Sequence, residues 1–135
     1  MFVVDASVTL AWCFADEGSE YADTILDRLE QEEAVAPSIW PLEVANGLRT
    51  AERRGRLDAA ELPRIRELIG AMPVRIEAID IEAALGEVLE VARSLELSTY
   101  DAAYLTLATR RGLALATIDD GLKRACNRAG VGLIR

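Results

Sequence analysis

The chain contains no histidine in its 135 residues. That removes every mechanism that needs an imidazole base, an imidazole partner for a nucleophile, or an imidazole metal ligand. Any metal chemistry must then use oxygen donors, which favour magnesium or manganese. Cysteine is scarce as well. Cys13 and Cys126 have no metal-type spacing and no secretory context, so both read as reduced small hydrophobes. Lysine occurs once, at Lys123. No apolar run is long enough to cross a bilayer, and the N-terminus lacks the basic start and long apolar stretch of a signal peptide. The expectation is a cytoplasmic chain with no membrane partner.

At 51% hydrophobic, the sequence has enough apolar residues for one real core, and a single domain over residues 1–135 is expected. The net charge of −8 is unevenly spread. Residues 1–48 carry ten acids against Arg28 alone, whereas residues 49–135 carry thirteen acids and fourteen bases. Arginines cluster at Arg49, Arg53, Arg54, Arg56, Arg64 and Arg66, with Lys123, Arg124 and Arg128 further on. Arginine forks suit phosphate oxygens, and a solvated helix face has the same composition.

The stretch from Ser98 to Ala108 reads as a helix buried almost from its first turn, closed by Arg110-Arg111-Gly112. Asp101 is the odd residue in it. Ser98 and Asp101 fit a capping box, which would direct the carboxylate to the helix's own first amides. Around it the chain alternates. Phe2-Val3-Val4 is a buried strand ending at Asp5, followed by a helix to about Phe14 and a turn at Asp16-Glu17-Gly18-Ser19. A polar helix over 19–33 leads to the strand Ala34-Val35-Ala36. Ser38 then opens a helix carrying Trp40, Leu42, Val44 and Leu48 inward, with Glu43 in its first turn. A second arginine-bearing helix over 58–70 completes a hairpin that reads as an arm or lid. A strand at Val74-Arg75-Ile76 precedes an amphipathic helix over 80–95, in which Ile81, Leu85, Val88 and Leu89 are expected to face inward. After the central helix come a strand over 113–117, a basic helix to Arg128, and a last edge strand over 131–134. This order calls for a three-layer α/β/α sandwich on a mainly parallel sheet, with the hairpin as an arm.

Such a sheet brings strand ends and helix starts to one edge. Asp5, Glu43, Asp101 and Asp119 all fall there. Each is unremarkable as a helix cap or first-turn acid. Together at one edge they would repel unless a divalent cation held them, and such a cluster suits one or two Mg2+ ions in phosphoryl displacement. Ser7 and Thr117 are placed to hydrogen-bond the ligand oxygens. Asp120 is an extra acid with two readings, assisting the metal or capping the last helix, of which the cap is favoured.

Several blocks, in order along the whole chain, carry a resemblance: Val4-Asp5-Ala6-Ser7 with Trp12 and Glu17; Pro37-Ser38 and Glu43-Val44-Ala45-Asn46; the run Tyr100 to Ala108; and Leu115-Ala116-Thr117-Ile118-Asp119. Together they resemble a PIN-domain ribonuclease, and within that family the VapC toxins of bacterial toxin–antitoxin pairs. The resemblance implies Asp5, Glu43, Asp101 and Asp119 as the acidic site, dependence on Mg2+ or Mn2+, and endoribonuclease activity on an RNA substrate. It also implies a homodimer, and inhibition by a cognate antitoxin whose tail lies across the site. Arg49, Arg53 and Arg56 are the candidate contacts to the RNA backbone.

Two rivals share the architecture. A phosphoacceptor receiver domain would show an acid pair after the first strand and a lysine after the last strands, and neither is present. A non-catalytic PIN-like interaction module would keep the fold and bind protein or RNA without cutting.

Overall fold

The computed structural model describes residues 1–14 and 19–135. The expected turn at Asp16-Glu17-Gly18 and the Glu17 motif position lie outside the described residues. β1 (Phe2–Val4) has no exposed side chain, each residue being 0% accessible. It runs between β2 (Ala34–Pro37) and β4 (Leu115–Ala116), with β3 (Val74–Glu77) beyond β2. All three pairings are parallel, and Val3 lies opposite both Val35 and Leu115. Burial on both faces accounts for the unbroken apolar runs of β1 and β2.

Helices flank this sheet. α1 (Ala6–Cys13), α2 (Glu20–Arg28) and α3 (Trp40–Arg53) pack through α1, and α7 (Thr99–Arg111) lies across β1, β2 and β4. Every residue of α7 from Ala102 to Ala108 is buried, and the two polar ones, Tyr104 and Thr106, each donate their hydroxyl to a protein oxygen. Gly112 ends the helix with a left-handed backbone (φ 63°) that favours glycine. α8 (Asp120–Ala129) packs on α7.

Several expected boundaries and faces are corrected. α2 stops at Arg28, where Glu30, Glu32 and Glu33 would oppose the dipole of a longer helix. The last edge strand is only a single parallel bridge, Leu133 to Leu115, because β4 is two residues long and offers little ladder to extend. Leu42 is 68% exposed rather than inward. Trp40 and Val44, a helical turn apart, set the buried face of α3, and Leu42 falls between them on the other side. The expected helix over 80–95 is α5 (Ile81–Ala83), a π-helical turn (Ala84–Val88) and α6 (Leu89–Leu95) in succession. The wider turn brings Val88 and Ala92 inward and leaves Ile81, Leu85 and, at 37%, Leu89 exposed.

The hairpin is not a free lid. α3 and α4 (Leu62–Gly70) close over a second apolar cluster of Cys13, Phe14, Ala51, Leu57 and Ile65. Ile65 is fully buried there, so Ile65→Ala should cost about 2–5 kcal/mol by lost burial and cavity formation. Urea denaturation of the two proteins measures it.

Candidate active site

Asp5 is the first residue after β1. Its backbone is extended, its N–H donates to the Ala116 carbonyl (3.2 Å), and its side chain is 4% exposed. A carboxylate so placed must be hydrogen-bonded. Oδ1 accepts the Ser7 hydroxyl (2.7 Å) and the Val8 amide (3.1 Å), so Asp5 is the N-cap of α1; Oδ2 accepts the Thr117 hydroxyl. Both hydroxyls expected around the acids therefore donate to Asp5. They also tie down the opposite turn. Ser7 Oγ accepts the Ile118 amide and Thr117 Oγ1 accepts the Asp119 amide, each at 3.0 Å.

Asp119 caps α8, its Oδ2 taking the Leu122 amide at 2.7 Å. The cap is thus Asp119 and not Asp120, which is solvent-exposed and 4.0 Å from Lys123. At α7 the cap is Ser98, whose Oγ accepts the Asp101 amide at 3.1 Å. The reciprocal half of the capping box is missing: among the described residues nothing donates to the Asp101 carboxylate. Glu43 does not cap either. It lies in the first turn of α3, where Tyr104 donates its hydroxyl to Oε1 at 2.7 Å.

The four acids act on one another in a chain. Burial, opposed by its hydrogen bonds and aided by the Asp119 charge, pushes Asp5 up to about 6. Burial also raises Glu43, with the Asp101 charge adding to it, and raises Asp101, with Asp119 adding. Desolvation leads in every case, and like charge is the smaller cause. Burial and the neighbouring Glu43 likewise push the Tyr104 phenol far above its ordinary value.

The donor set is all oxygen, with Asp101 and the outer oxygens of Glu43 and Asp119 turned to no donor among the described residues. That chemistry suits a hard divalent cation. As they stand, no three acidic or thiol groups among the described residues are close enough to enclose one.

Arg49 and Arg53 lie one turn apart on the exposed side of α3. Arg49 pairs with Glu52 at 2.7 Å, and Arg56 lies over the Phe14 ring at 5.3 Å. Arg53 is exposed at the last turn of α3, about 15 Å along the axis from Glu43. Tyr104 was visible in the sequence only as a core residue. A buried phenol needs a hydrogen-bond partner, and its place one turn after Asp101 was the available signal.

The sequence pattern of the PIN domain matches residues 2–127, and the chain belongs to the PIN-domain family. It is 32% identical over 120 residues to ribonuclease VapC9 of Mycobacterium tuberculosis, covering 88% of this chain and 86% of that one. Ribonuclease VapC3 of Pyrobaculum aerophilum is 29% identical over 117 residues, covering 87% and 88%. Within the family the chain belongs with these VapC proteins. Its fold is shared by the crystal structure of PAE2754 from Pyrobaculum aerophilum, with a TM-score of 0.68, 26% identity and coverage of 92% and 84%. FitAcB from Neisseria gonorrhoeae has a TM-score of 0.67 at 17% identity, over 100% and 97% of the chains.

Asp5 supplies a pH-dependent term. Its folded value of about 6 lies above the ordinary 3.8, so its contribution to stability is complete below about pH 4 and is lost as pH rises through 6. Ionising it in the fold costs about 3 kcal/mol. Asp5→Asn keeps the Oδ1 acceptor and removes that cost. Without metal it should be about 1–3 kcal/mol more stable than the wild type at pH 7.5, and nearly equal to it at pH 4. Denaturation curves at the two pH values check this; an equal destabilisation at both would mark Asp5 as a cap alone.

Proposed function

We propose that the chain is a metal-dependent endoribonuclease and the toxin of a toxin–antitoxin pair, working in the cytoplasm. The observation that supports this reading most is the run of charge coupling from Asp5 to Asp119, from Asp119 to Asp101 and from Asp101 to Glu43, all at strand ends or helix starts. The ribonuclease names of its VapC relatives support it.

In this reading Asp5, Glu43, Asp101 and Asp119 would hold Mg2+ or Mn2+, although without it no three of them stand close enough to enclose one. When bound, the cation neutralises the acids, polarises the phosphodiester and lowers the pKa of water. The remaining work falls to the protein. Ser7 and Thr117 fix Asp5, and the helix starts that converge on the edge favour negative charge there. Arg53, with Arg49 and Arg56 beside it, holds the RNA backbone without reading sequence.

The antitoxin tail has an apolar bed. A groove of about 1060 Å³ between α3 and α4 starts at Pro41 and Val44, on either side of Glu43, and is walled by Leu48, Leu62 and Ile69. The homodimer forms through Leu42, Ile81, Leu85 and Tyr100, all more than half exposed and gathered, apart from Ile81, around one apolar pocket.

Purified protein should cut single-stranded RNA with Mg2+ or Mn2+ and stop in excess chelator. Asp101→Asn should cost more than the roughly 10–100-fold that loss of an outer partner of a ligand costs. RNA binding without cleavage in either metal would return the rival reading, an interaction module. For the arginines, an Arg49/Arg53/Arg56 triple Ala variant should bind all RNAs more weakly and with a flatter salt dependence. An unchanged salt slope in filter binding would leave the arm a structural element.

A further inference from the structure

Glu43 is held differently from the other engaged acids. Asp5 accepts three hydrogen bonds, and Asp119 is tied to the first turn of α8. Both are short side chains on turns whose backbones are already fixed. Glu43 is longer by a methylene, α3 has no side-chain cap, and among the described residues the Tyr104 hydroxyl is its one donor. That hydroxyl comes from a ring 2% exposed, flanked along α7 by the buried Ala103 and Leu105. In a close-packed core such a ring has no alternative place to go.

The phenol also stands at a junction. It sits one helical turn after Asp101 on α7 and reaches Glu43 on α3. A second link runs in parallel: the Trp40 indole N–H donates to Thr9 Oγ1 (3.1 Å), and the Thr9 hydroxyl donates to the Asp5 carbonyl (3.0 Å). That chain sets where α3 starts relative to β1. The direction of the Glu43 side chain is left to Tyr104.

We propose that Tyr104 is a positioning residue, its core-locked hydroxyl holding the Glu43 carboxylate in the orientation that lets it bind metal with the other acids. The inference rests on Glu43 belonging to the site. A buried phenol that merely satisfies itself would use the same contact, so the test must separate the two.

Manganese affinity of the purified protein, by titration calorimetry, is the main readout, with kcat and KM on single-stranded RNA beside it. Tyr104→Phe keeps the ring and should keep a metal-free melting curve close to wild type. It should weaken manganese binding on the order of 10-fold and lower kcat by a similar factor, with KM little changed. Glu43→Asp leaves the core intact and withdraws the carboxylate from the phenol, so it should lose affinity to a similar extent. Adding Tyr104→Phe to it should then cost nothing further. Wild-type affinity in Tyr104→Phe overturns the proposal, as does an undiminished further loss in the double variant, which marks a general structural role. If Tyr104→Phe fails to fold, Glu43→Asp decides alone, and wild-type affinity there overturns the proposal. Glu43→Gln tests the underlying reading separately: full affinity and activity in it would remove Glu43 from the site altogether.

Discussion

A strand with no exposed residue that ends in a carboxylate sets the terms for this edge of the molecule. Burying the Asp5 charge without partners would be prohibitive. The fold answers with two hydroxyls and an amide, drawn from the start of α1 and the end of β4. Those hydroxyls in turn accept the amides of Ile118 and Asp119. The turn that presents Asp119 is therefore built on the group that holds Asp5. Disturbing one acid disturbs the other.

Capping does not exhaust the oxygens of these side chains. Asp5 and Asp119 each give an oxygen to a helix amide and keep lone pairs beyond it. A parallel sheet makes this economical, because the helix starts that need acceptors are the same places where ligands bind. Asp101 marks the limit of the capping account. Ser98 already caps α7, and the Asp101 carboxylate is left half-buried and raised in pKa with no donor of its own. Local helix chemistry gives no reason for that cost, whereas a cation would.

Charge is distributed to match. The acids dominate the first third of the chain, and the arm that follows carries six of the fourteen arginines. Arg49 and Arg56 are engaged by Glu52 and by the Phe14 ring, whereas Arg53, Arg54, Arg64 and Arg66 are exposed to solvent. The arm itself is anchored by Ile65 and Leu57 over the end of α1. On the other side, the π-helical turn and the first turn of α3 leave apolar side chains in solvent.

Much of this was legible in the amino-acid order. Continuous apolar runs marked β1, β2 and the burial of α7, and the acids at strand ends and helix starts followed from the alternation, because both signals are local. Faces were less legible. Leu42, Ile81 and Leu85 were read as inward because apolar spacing cannot tell a core stripe from an exposed one, and a π-helical turn changes the register midway. Spacing pointed Ser7 and Thr117 to the acids' oxygens but not to which acid each meets, and it did not reveal that Tyr104 donates to Glu43, 61 residues away. The sequence by itself determined which residues are acidic, which elements form and which ends they occupy, since these depend on neighbours within a turn or a strand. Only the tertiary structure decided which oxygen meets which donor and which apolar face is left open, since those depend on how separate elements are set against one another to within a hydrogen bond's length.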